Sequence, residues 1–185
     1  MEKRTPQRTP YFLLSELKSE VERITDGMTF LKPRKELNEP AEYIKMQVYE
    51  QALPIPEKDE KENMPRDTID FVASDEEDPI YHCPWAVVKL SVGNIPGANA
   101  DQTATASICF GVYNDSYDNN GHREILNLIQ RVYERFARDP VLGSGFTCEC
   151  NFEWAVQAED TYPYYFGAIG MDFRFLGIRR EDKFT

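Results

Sequence analysis

CFGVYNDSYDNNGHREILNLIQRVYERF, residues 109–136, packs a strand end, a polar loop and a helix into one short span. The helix is read from its apolar positions. Ile125, Ile129, Val132, Tyr133 and Phe136 recur at three- and four-residue steps and form one continuous stripe. Arg123, Gln130, Glu134 and Arg138 fall on the wet side. Asp139-Pro140 stops the helix, because the residue before a proline avoids the helical region. The spacing predicts a helix over 122–138. Upstream, Ala104, Ala106, Ile108, Phe110 and Val112 alternate with Thr103, Thr105, Ser107 and Cys109. That period of two predicts a strand over 103–113 with one apolar face.

The flanking sequence repeats these patterns. Residues 11–25 place Leu14, Leu17, Val21 and Ile24 at helical spacing, closed by Asp26-Gly27. Residues 42–54 alternate, with Ile44, Met46 and Val48 on one side, and predict a half-buried strand. A strand is expected over 85–92. The link GNIPGANAD, 93–101, joins it to the next strand as a hairpin with an enlarged loop. Residues 146–156 alternate, with Phe146, Cys148, Cys150, Phe152, Trp154 and Val156 on one face. The last strand, 165–176, puts Ile169, Met171, Phe173 and Phe175 on one face. The order α-β-β-β-α-β-β predicts an α+β fold: a mostly antiparallel sheet of four to five strands, with two main helices packed on one face. One domain spanning 1–185 is expected, with a charged, mobile insertion at about 55–82.

The totals narrow the function. A chain of 185 residues suffices for one domain with a core. Net charge is -11, from 32 acids and 21 bases. Neutralising phosphates takes lysine and arginine, so neither sequence-specific nucleic-acid binding nor an anionic membrane is expected. Such a surface can still line a channel through which DNA slides without sticking. The basic start MEKRTPQRTP is followed only by the short YFLL, so no signal peptide is expected. No run approaches the roughly 20 apolar residues of a membrane span. Cys83, Cys109, Cys148 and Cys150 are expected to be free thiols.

Several constellations could carry chemistry. In NDSYDNNGH, Gly121 could take the sixth place of a calcium loop, with Ser116, Asp118 and Asn120 before it. The twelfth place then holds Asn127 instead of the bidentate glutamate. The loop reads better as a polar connector, with Asn119 or Asn120 capping the helix and Gly121 allowing the turn. Cys148-x-Cys150 lacks the spacing of a zinc knuckle, and both residues read as small core positions. A histidine-dependent site must use His82 or His122. The acidic run Asp75, Glu76, Glu77, Asp78 reads as a solvated cluster. No glycine-rich phosphate loop occurs. These readings assign no catalytic residue, no metal site and no cofactor.

One larger pattern remains. CPWAVVKLSVGNIPG is followed by TATASICFGVYNDSYDNNGHREILNLIQRVYERF, then FTCECNFEW, then YPYYFGAIGMDFRF. A proline-led strand leads to an F-G-V-Y-x-D strand end. A polar loop, an I-L-N-L-I-x-R-V helix and an aromatic strand ending in tryptophan come next. This resembles the tail-terminator or tail-completion proteins of long-tailed bacteriophages and prophages, over residues 83–176. The resemblance implies a small structural protomer, not an enzyme. Protomers would close into a ring, a hexamer, that caps the tail tube and joins it to the head connector. Its partners would be itself, the tail tube and the connector. It would be made in the bacterial cytoplasm and end in the virion. A ring needs a surface that reaches a neighbour, and the weakly charged link supplies the expected interface residues Asn94, Ile95, Pro96, Asn99 and Asp101. Two alternatives stay open: a metal-dependent hydrolase using Asp115, Asp118 and His122, and a small ligand-binding module using the aromatic segment 162–166.

Overall fold

The computed structural model describes residues 8–34, 39–54, 83–97, 99–143 and 145–177. The alternating stretch read above forms the centre of a six-stranded sheet. Strand β5, Gln102–Tyr113, pairs antiparallel with β8, Tyr164–Phe175, along its whole length. On its other side lies β4, Trp85–Asn94, also antiparallel. Beyond β8 come β7, Phe146–Val156, and the two-residue β6, Val141–Leu142. The opposite edge is β3, Gln47–Glu50, which runs parallel to β4. A separate two-stranded sheet joins β1, Phe30–Leu31, to β2, Tyr43–Ile44.

The expected α+β class is observed, but the sheet differs in detail. It has six strands where four to five were expected, and one pair is parallel. The expected single strand over 42–54 is two short ones in two different sheets. Alternation set the burial of Met46 and Val48, and it carries no information on which strand pairs with which. Strands β1 and β6 are two residues long, too short for any periodicity to mark them. The 55–82 insertion, with His82 and the acidic run 75–78, lies outside the described residues.

Both helices cover one face of the sheet. Helix α1, Pro10–Thr25, starts with Thr9, whose Oγ1 accepts from the Phe12 N–H at 3.4 Å, and with proline in the first turn. It buries Leu13, Leu14, Leu17 and Val21. Helix α2, His122–Arg138, buries Ile125, Leu128, Ile129, Val132 and Phe136. Each such side chain contributes about 1.5–3 kcal/mol on removal from water. Tyr133, expected within the stripe, is 44% exposed at its margin. The even residues of β5, Ala104 to Val112, meet the helices, and so do Ile169, Met171 and Phe173 of β8. Gly167 lets α2 approach closely: a Cβ there would stand 2.4 Å from Ile125 Cγ2.

Among the described residues, the opposite face is covered at one end only. There Leu31, Cys83, Trp85, Val87 and Tyr113 form a smaller cluster, joined by Tyr164 and Phe166. The rest of that face carries small and polar residues such as Thr105, Ser107, Gly170 and Asp172, all half-buried. Thr105 Oγ1 donates to Asp172 Oδ1 at 2.7 Å.

Candidate functional site

The polar loop 114–121 is a turn held by its own side chains. Asn114 Oδ1 accepts from the Ser116 N–H at 3.0 Å, and Asn114 Nδ2 donates to Glu124 Oε1 at 2.7 Å. Asn119 takes a left-handed conformation with φ +50°, and its Oδ1 accepts from the Tyr165 hydroxyl. The cap of α2 is Gly121, which makes no side-chain cap bond, instead of Asn119 or Asn120. The reason is packing. The Tyr165 ring lies where a Cβ on residue 121 would be, 2.2 Å from its nearest ring atoms.

Asp115 is held by a partner distant in sequence. Arg34 Nε donates to its Oδ2 at 2.9 Å, and the Tyr113 hydroxyl donates to the same oxygen at 3.2 Å. Burial, then the neighbouring carboxylate, raise the Tyr113 phenol above its ordinary value. Asp118 and His122 are exposed. Among the described residues no three His, Cys, Asp or Glu side chains gather as a cation site. The aromatics at 162–166 pack inward for the most part. Tyr164 stacks edge-on with Tyr113 at 5.3 Å, and Phe166 lies 6.0 Å from Trp85. Tyr162 is the exposed one, at 43%.

The four cysteines are free. Cys148 is buried in the main core, as its place in the alternation predicted. Cys150 is not. It is exposed, with φ +55°, inside a bulge where the β7–β8 register jumps between Cys148 and Phe152. The extra residues loop out and the alternation resumes on the same face.

The hairpin between β4 and β5 is longer than the sequence suggested. Its strands run on to Asn94 and Gln102 and leave 95–101 as the link. Asn94 pairs with Thr103, which itself pairs with Arg174 of β8, so the hairpin is held in line with the sheet. Near its tip Val92 and Ile95 are 67% and 68% exposed. Pro96 and Asp101 are exposed too, and Asn99 takes a left-handed φ of +67°. The expected interface residues therefore share one projecting end.

A second surface was not foreseen. Between α2 and β7 runs a groove of about 810 Å³, walled by Leu126, Tyr133, Phe152 and Trp154, with Gln130 and Asn151 among its polar groups. Tyr133 meets Phe152 edge-on at 5.2 Å. Trp154 is 62% exposed. Phe152 and Val156 still pack on the main core here, whereas Trp154 between them is left largely uncovered among the described residues. The sequence signal was Trp154 closing an alternating strand, but nothing in the chain states how wide the helical layer is.

No family model matches this chain, and no curated protein matches it. Among the described residues no helix is long and apolar enough to cross a membrane.

Proposed function

We propose that this chain is a structural protein of a long-tailed phage or prophage, which closes as a hexameric ring on the tail tube and joins it to the head connector. One observation carries the reading. The β4–β5 hairpin ends in an exposed stretch, 91–97, and the sequence 90–100 carries no charged residue, in a chain of net charge -11. An uncharged, glycine- and proline-containing tip can lie against a partner without a large desolvation cost. Rigid pairing of its strands fixes where the tip points. Asn94, Ile95, Pro96, Asn99 and Asp101 are the residues assigned to contact the neighbour or the tail. The hydrolase alternative has no comparable support, since Asp115 is engaged by Arg34 and Tyr113.

The test is genetic. Deleting the gene from the strain that produces the particles should yield full heads and unjoined tails, and the missing protein should be found at the head–tail junction of wild-type particles by immunogold labelling. Normal numbers of complete, infectious particles after deletion would refute the assignment.

A further inference from the structure

The groove between α2 and β7 gathers exposed apolar surface. Leu126, Tyr133 and Trp154, at 40%, 44% and 62% exposure, stand around one concavity. Large exposed aromatics around a concave site are the usual anchors of protein contacts. Among the described residues, none that lines the groove is charged. We propose that this groove receives the β4–β5 hairpin end of a second copy of the same chain, with Val92 and Ile95 entering against Trp154. The inference rests on the ring reading above and names the surface that would receive the tip.

Charge selects the occupant. With 32 acids against 21 bases, two copies repel over most of their surfaces. They can approach where neither presents a charge, and the groove and the stretch 90–100 both meet that condition. The chemistry matches too, since Val92 and Ile95 are the exposed aliphatic groups near the tip and the groove wall is aromatic and aliphatic.

Geometry makes the contact intermolecular. The hairpin tip lies at the sheet end where Gln102 pairs with Phe175 and Phe175 with Phe146. The groove lies along β7 near Phe152 and Trp154, with β5 and β8 between it and β4. The pairing of Thr103 with Arg174 keeps the hairpin in the sheet and prevents it from folding back onto its own groove. Two different patches that bind each other make a head-to-tail contact, which closes into a ring when the rotation allows.

Sedimentation velocity of the full chain, over a wide concentration range, tests this with two variants, Trp154→Asp and Ile95→Asp. Both positions are exposed, and thermal melts will verify that the variants fold. Trp154→Ala is the milder substitute if Trp154→Asp does not. The parent should form species larger than a dimer. Each variant alone should self-associate at least about tenfold more weakly, as for loss of an interface anchor. Mixed together, the two variants should form a one-to-one pair and nothing larger, because each supplies one intact patch. If parent and variants associate alike, the groove pairing is wrong and the ring uses another surface. If the variants fail to pair on mixing, the head-to-tail assignment is wrong. If the parent stays monomeric throughout, the pairing is overturned, and the gene deletion alone decides the wider reading.

Discussion

The two halves of β7 share a strand, a face and an alternating pattern, yet they have opposite fates. Phe146 and Cys148 are 1% and 2% exposed, whereas Trp154 is 62% exposed. All three sit opposite residues of β8 that point toward the helices: Phe175, Phe173 and Ile169. What differs is the layer above. The first half lies in the main core, where Phe146 meets Phe175 at 5.3 Å and Phe136 of α2 meets Phe173 at 5.5 Å. In the second half α2 stands off as a groove wall: Tyr133 still meets Phe152 at 5.2 Å, but Trp154 is left uncovered among the described residues. Alternation fixes which way a side chain points, and the neighbouring layer decides whether it is buried.

The sharpest way to break this comparison is at its buried end. Phe146→Ala should cost about 3–5 kcal/mol, the usual loss for a buried phenylalanine, read as a fall in the midpoint of denaturant unfolding. A loss within error would show that the first half is no better covered than the second.

A smaller effect is expected from the pair that ties the two helices together over the core. Arg135 Nε donates to Glu20 Oε1, and Arg23 Nε donates to Glu20 Oε2 at 3.0 Å. The Arg23 hydrogen bond, helped by Arg135, holds the Glu20 carboxyl below its ordinary 4.5 against the opposing effect of burial. A carboxyl whose folded value is depressed stabilises the fold above its unfolded value. The contribution is therefore present near neutral pH and is lost as pH falls below about 4.5 through the lowered value. Glu20→Gln should cost about 1.5–3 kcal/mol at neutral pH, the range for a hydrogen bond to a charged group. The difference from wild type should shrink on acidification. A difference that stays constant down to low pH would mean that the charge is not what matters.

The smallest effect belongs to the exposed end. Trp154→Ala should change monomer stability by no more than about 0.5 kcal/mol, as for a surface position. A loss close to that of Phe146→Ala would erase the distinction between the halves and would place Trp154 in the core.

Much of this fold was legible from residue order. The apolar stripe of 122–138 gave α2 within its observed bounds, and the alternation of 103–113 gave β5 to within one residue. Cys150 was misread because a bulge leaves no periodic mark: Phe152 and Trp154 fall on the expected face whether or not the chain loops out between. The parallel β3–β4 pair was missed because a strand of four residues, Gln47–Glu50, says nothing about its partner. The hairpin tip was visible as a weakly charged link rich in glycine, asparagine and proline. The groove was not, since Leu126 and Tyr133 on α2 and Trp154 on β7 meet only through the width of the sheet.

Cys150 has a practical consequence. Burial pushes the Cys83 thiol up to about 12 and the Cys148 thiol up to about 11, so neither offers thiolate at neutral pH. Cys109 is half-buried in the smaller cluster, whereas Cys150 is exposed on the groove wall. A maleimide dye added to the native protein will find this cysteine first. The molecule thus brings its own attachment point for a fluorophore, set beside Trp154, whose emission can serve as donor or quench partner. Any occupant that enters the groove will announce itself as a change in colour or lifetime, with no residue altered to see it.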